Sequence, residues 1–242
     1  MTKRETLLID GDIVLYKATF LCENEFDWGD VVTYATSKES IRTSVDFIIN
    51  KWIEPFSDFS KLIVCLSGFN NFRKELLPSY KSNRAGNRKP LGLIYARQYV
   101  EDNYATKCED SMEADDLMGI LQHKDSVIIS IDKDMLTVPG HHYNPDKQEE
   151  AYISEAEANY TFYKQCLTGD NTDGYKGCPG IGEVKASKLL ENQLLEYSMW
   201  EIVLGTYLKA GETLEDCITQ CRMAYILRNH VGELWNPPVK NL

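Results

Sequence analysis

The chain has 242 residues, 43% of them hydrophobic, and 37 Asp and Glu against 26 Lys and Arg give it a net charge of −11. That supports one sizeable core with at most a smaller appendage, and no run nears the roughly 18 apolar residues that mark a membrane span. The acidic balance argues against a simple basic nucleic-acid binder. Seven scattered cysteines without a Cys-x-x-Cys pair suit neither a disulfide framework nor a zinc site. The opening "MTKRETLLID" is too poor in apolar residues for a secretory signal, so a cytoplasmic location is expected.

The first predicted strand, Leu7 to Asp10, runs straight into "DGD". A carboxylate at the end of a buried strand is costly unless a charge meets it. Two partners fit Asp10: a magnesium ion beside a phosphodiester, or a phosphoryl group that the aspartate itself attacks, as in aspartyl-phosphate phosphatases. The stretch "EFDWGDVVTYATS" reads as a hairpin turning near Gly29. Ile41, Val45, Ile48, Ile49 and Trp52 then recur at helical spacing, with Ser37 as N-cap and Pro55 beyond the end. A second strand covers Leu62 to Leu66. After it, seven basic residues lie between Phe72 and Arg97 with Glu75 the one acid among them. Such a segment can steer phosphates, or can be a solvated loop.

A third strand is predicted over Tyr104 to Cys108 and a fourth over Val127 to Ile131, with Asp132 and Asp134 directly after it. Between them, "SMEADDLMGIL" starts a helix that Ser111 can cap, and Glu113, Asp115 and Asp116 fall near its first turn. Acids there also favour the positive end of the helix dipole. His141 and His142 are expected in a surface loop. From about Ser154 the pattern is helical, broken by "GYKGCPGIG"; Asp170 and Asp173 sit just before it in "LTGDNTDG", where turn chemistry is an ordinary explanation.

Strands alternating with helices imply an α/β fold with a mainly parallel central sheet, whose ligands gather at the strands' carboxyl ends. Six or more carboxylates converging there would repel one another without a cation. An all-oxygen set favours Mg²⁺ or Mn²⁺ over zinc, and two such ions about 4 Å apart suit phosphoester hydrolysis.

Five segments, "LLIDGD", "FRKELLPSYKSNR", "MEADDLMGIL", "ISIDKDML" and "LTGDNTDGYKGCPGIGEVKASKLL", occur in an order that resembles the 5′-nucleases of phages and bacteria, the 5′→3′ exonuclease and flap endonuclease group. The likeness runs from about Leu7 to Leu190 and is strongest to compact phage exonucleases. It implies a PIN-like nuclease core over residues 1–160 with a basic helical arch around 72–100. A helical segment over 161–242 would hold a helix–three-turn–helix element at about 166–190. By the same resemblance Asp10, Glu113, Asp115, Asp116, Asp132, Asp134, Asp170 and Asp173 form a two-metal carboxylate cluster. Arg73, Lys81 and Arg84 line the gateway above it, Lys81 and Arg84 gripping the scissile phosphate. Tyr80 is placed to stack on a terminal base, and Lys17, Gly180, Gly182 and Lys185 to contact backbone phosphates, with a potassium ion at the helix–hairpin–helix. The implied substrates are duplex DNA with 5′ ends, nicks or flaps, and the RNA strand of RNA–DNA hybrids.

One departure stands out. Relatives carry an aspartate at the end of the second strand, where this chain has Ser67 and Gly68. A catalytically weak reader of DNA structure therefore stays beside the nuclease as an alternative, and "IDGDIV" keeps the phosphatase as a third.

Overall fold

The computed structural model describes residues 5–84, 86–228 and 233–239. Its strands are β1 (Thr6–Asp10), β2 (Asn24–Asp27), β3 (Val32–Ala35), β4 (Lys61–Ser67), β5 (Thr106–Glu109), β6 (Ser126–Ile129), β7 (Gly140–Asn144) and β8 (Glu149–Ile153). Around them run α1 (Gly11–Leu21), α2 (Lys38–Ile53), α3 (Phe72–Leu76), α4 (Leu93–Asn103) and α5 (Ala114–Leu121). The remaining helices are α6 (Glu155–Thr168), α7 (Glu183–Leu189), α8 (Glu196–Lys209) and α9 (Leu214–Ala224).

Six strands form one sheet in the order β5-β4-β1-β6-β7-β8, parallel throughout except for the antiparallel edge strand β8. β1 lies inside it, and Leu7, Leu8 and Ile9 have no solvent exposure. Its unbroken apolar run reflects helices on both faces of a parallel sheet. Leu7, Ile9, Val64 and Val127 meet Ile41, Val45, Ile49 and Trp52 of α2 on one side. Leu8, Ile63 and Ile128 meet Leu117 and Met118 of α5 on the other. A separate cluster joins α6, α8 and α9 through Phe162, Tyr163, Trp200, Tyr207 and Cys221, and Tyr80 belongs to it. All seven cysteines are free, and no helix among the described residues is long and apolar enough to cross a membrane.

The structure revises four local expectations. The hairpin β2–β3 and the Ser37 cap of α2 are present as predicted. The two strands after Thr137 were not anticipated: His141 and His142 lie in β7, and His142 is buried with its ring against the Val138 carbonyl. β6 ends at Ile129, before the predicted Ile131, which frees Ser130 to turn toward Asp10. α5 is capped by Glu113 and not Ser111, through a reciprocal pair in which Asp116 receives the Glu113 N–H. The expected arch is short α3, a 3-10 turn over Ser82–Arg84, and then α4, whose Ala96 and Val100 join the core.

Candidate active site

The site is built at the carboxyl ends of β1 and β6 and the start of α5. Asp10 closes β1 and at once caps α1. Its Oδ1 accepts the Ile13 N–H at 3.1 Å and its Oδ2 the Ser130 hydroxyl at 2.9 Å. Ser130 Oγ also accepts the Asp132 N–H at 3.0 Å, and Asp132 Oδ1 caps its own turn by accepting from Asp134 N at 2.9 Å. The last pair of acids comes from the turn after α6, where Asp170 Oδ1 accepts the N–H groups of Thr172 and Asp173. Glu113, Asp115, Asp134 and Asp173 line one crevice with Tyr80 and Tyr175.

Cations cover one side of this crevice. Lys81 Nζ lies 2.5 Å from Glu113 Oε1 and 3.5 Å from Asp173 Oδ2, so a single ammonium spans two acids from distant segments. Arg84 reaches Asp173 Oδ1 at 2.5 Å. The Tyr80 hydroxyl lies 2.8 Å from Glu113 Oε2 and 2.9 Å from Asp173 Oδ2, its one proton shared between the two carboxylates. Lys81 holds this place with a left-handed backbone, φ +54°, and its N–H donates to the Asp173 carbonyl. A non-glycine residue in that region is strained and persists only where its surroundings over-determine it.

The electrostatics divide the acids into two groups. Burial, then the neighbouring Asp12, pushes Asp10 up to about 7. Burial, then Asp132 and Asp170, pushes Asp134 up to about 6. Asp115 is raised well above the carboxylate range by burial and by Asp10 and Asp132, and Asp12 is raised mainly by burial. Glu113 goes the other way: burial favours its neutral form, but Arg73 and Lys81 overcome that and hold it at about 2. The raised acids, in which burial and neighbouring carboxylates outweigh any nearby cation, are thus the ones that a divalent ion would relieve, and every donor is a carboxylate oxygen, as hard cations prefer. That donor set fits Mg²⁺ or Mn²⁺. Among the described residues no three acids, histidines or cysteines yet close around one point; Lys81 stands between two of them instead.

Several residues expected at this site do other work. Asp116, placed by resemblance among the metal ligands, has no exposure: Arg73 grips both its oxygens at 2.7 and 2.8 Å, and Leu227 N adds a third bond. Arg73 is correspondingly buried and donates to the carbonyls of Met223 and Tyr225, so it is a structural tie and not a gateway contact for DNA. Tyr80 is 3% exposed and offers no ring face on which a base could stack. Lys17 is paired with Asp146 at 2.6 Å. Gly180 has φ +73°, whereas Gly182 is the cap of α7 with φ −100° and needs no glycine freedom; Lys185 Nζ donates to the Gly180 carbonyl. Sequence reasoning missed Ser130, Tyr175 and Asp12. Only Asp12 carried a readable signal, as the second acid of "IDGDIV".

A mostly parallel sheet covered on both faces, with acids at its carboxyl edge under cationic side chains, defines the α/β class, and comparison with known proteins narrows it. The chain belongs to the 5′–3′ exonuclease family: the model of that family's N-terminal resolvase-like domain matches residues 5–162. It is similar to the exodeoxyribonuclease of Enterobacteria phage T3, 25% identical over 96% of this chain and 92% of that one. The exonuclease of Escherichia phage T7 is likewise 25% identical, over 96% and 93%. Among solved structures, the T5 D15 protein co-crystallised with metal ions superposes with a TM-score of 0.69 at 16% identity, covering 91% of this chain and 89% of that one. The chain is therefore an enzyme of the 5′–3′ exonuclease family with the same mixed α/β fold.

Proposed function

We propose that this enzyme hydrolyses phosphodiesters from 5′ ends, nicks and 5′ flaps of duplex DNA, and the RNA strand of RNA–DNA hybrids, using two divalent ions and leaving 5′-phosphorylated products. The observation that carries the reading is Lys81 and Arg84 poised over Glu113 and Asp173. Solved relatives give it context: a T5 D15 flap endonuclease variant that superposes with a TM-score of 0.61 is described as a pseudo-enzyme–product complex with DNA and metal ions.

In this reading Asp10, Asp115, Asp132, Asp134, Asp170 and Asp173 hold the ions, with Glu113 shared between them and Lys81. Ions bound there would activate a water and neutralise charge at the scissile phosphate. Lys81 exchanges Glu113 for the phosphate, and Arg84 exchanges Asp173 for it; both cations then sit where negative charge grows in the transition state. Asp116 stays with Arg73 and fixes the start of α5. Ser130 orients Asp10 and Asp132 together. The turn around Gly180, with Lys185, contacts the duplex backbone, and a potassium ion at its carbonyls belongs to the same proposal.

The test is digestion of nicked and 5′-flapped duplexes, labelled at either end, with Mg²⁺, Mn²⁺ or EDTA. Metal-dependent release from 5′ ends supports the reading. Binding without cleavage in either metal would sink it in favour of a reader of DNA structure.

A further inference from the structure

We infer that Asp12 supplies, from the first turn of α1, the metal-facing carboxylate that the 5′-nuclease resemblance places at the end of the second long strand and that Ser67 and Gly68 do not provide. The inference rests on the divalent-ion reading above and names a ligand outside the resemblance's eight acids.

Backbone geometry leads to it. β1 pairs with β4 in parallel, Asp10 opposite Cys65. Two residues further along each segment, Asp12 meets Ser67, and the Ser67 N–H donates to Asp12 Oδ1 at 3.3 Å. The carboxylate of Asp12 therefore arrives at the carboxyl end of β4 from the neighbouring element. Gly11 makes this approach possible: a Cβ there would lie 2.5 Å from the Cys65 carbonyl oxygen, so only glycine lets the start of α1 close on β4.

The same geometry explains why the acid is absent from β4. A Cβ at Gly68 would collide with the carbonyl oxygens of Glu109 and Asp110. No side chain fits at 68, and the Ser67 hydroxyl is already accepting the Ala114 N–H at 3.0 Å. Arg97 holds the Ser67 carbonyl at 2.8 Å and fixes this corner from outside. Glu113, Asp116 and Asp173 each have a basic partner, whereas among the described residues no basic side chain forms an ion pair with half-buried Asp12. Arg97 lies near enough to favour the charged form of Asp12 but makes no ion pair with it among the described residues, and a carboxylate held in this way beside other acids is one that a hard ion would bind.

The experiment is calorimetric titration of Mn²⁺ into the metal-free full chain, with the melting temperature of each metal-free variant as a control. Asp132→Asn tests the divalent-ion reading itself. Asp12→Asn should weaken Mn²⁺ binding about 10-fold or more, since even outer ligands of a metal carry that much, while leaving the melting temperature within a few degrees. The double variant D12N/S67D moves the carboxylate back to the β4 end and should recover most of the affinity. Wild-type Mn²⁺ affinity in D12N, with loss in D132N, overturns the inference and spares the reading. Wild-type affinity in both overturns both. A D12N loss that comes with a lower melting temperature and no rescue by S67D assigns Asp12 a folding role and also overturns it.

Discussion

Arg73 and Asp116 form a two-pronged ion pair, at 2.7 and 2.8 Å, between two side chains that are 3% and 0% exposed. The pair joins α3 to α5, and the same guanidinium holds the carboxyl end of α9 through the Met223 and Tyr225 carbonyls. Removing one partner would leave the other buried and uncompensated. Arg73→Ala should cost about 3–5 kcal/mol, read as a fall in the urea midpoint. A variant with wild-type stability and lost DNA affinity would return Arg73 to the gateway.

Lys81 pairs with Glu113 and Asp173, and in the proposed mechanism it competes for both with the metal ions. Lys81→Ala should lower turnover about 100- to 1,000-fold, the range seen when one positioned transition-state donor is removed. Mn²⁺ affinity should be unchanged or tighter, because a competitor for two carboxylates has gone. Single-turnover cleavage and Mn²⁺ titration of the same variant check both halves; weaker ion binding would contradict this placement.

Acid clustering gives stability a pH dependence of defined sign. Asp10 and Asp134 are raised to about 7 and about 6 in the folded chain from an ordinary 3.8, and Asp115 and Asp12 move the same way. Between about pH 4 and 7 the folded state therefore binds more protons than the unfolded one, and stability falls as pH rises. His142, lowered by burial, contributes the opposite slope near its ordinary 6.5, but it is one group against four. Glu113 at about 2 contributes only below this window. In EDTA the melting temperature should fall from pH 5.5 to pH 8. Mn²⁺ should restore it most at pH 8, where ions need displace no protons. A flat profile in EDTA would remove the repulsion on which the metal reading draws.

Restoring an aspartate at position 68 is the obvious way to make this chain more like its family, and the structure predicts failure. The Glu109 and Asp110 carbonyls occupy the space that a Cβ needs. Gly68→Asp should destabilise by about 1–3 kcal/mol and lower nuclease activity, measured by thermal melting and flap cleavage. A gain in activity at unchanged stability would refute that account.

How much of this was legible beforehand follows from the range of the interactions. β1, β4 and β6 announce themselves as apolar runs because both faces are covered, and α2 by its periodicity, since those signals are local. β8 did not, because this edge strand, "EEAYI", buries little on either face, and neither did β7, an inner strand whose "GHHYN" carries no apolar run. The acids at strand ends could be grouped by topology, which sequence order supplies. Which acids a cation already holds could not, because Arg73 finds Asp116 across 43 residues and Lys81 finds Asp173 across a still longer stretch. The arm's charge was visible; that Arg73 and Tyr80 turn inward from it was not.

Asp10 gives one oxygen to the α1 backbone and the other to Ser130. It is therefore a hinge pin of the fold as well as a member of the acid cluster, and alanine there would remove helix start and charge together. Asparagine keeps the acceptor for the α1 backbone while removing the charge. A descendant of this chain that had abandoned hydrolysis would still be under selection to keep an oxygen at position 10, so an intact acid there is weak testimony to activity. Asp132 Oδ1 carries a comparable cap, whereas among the described residues Asp115 accepts no such bond, and its persistence is the better witness.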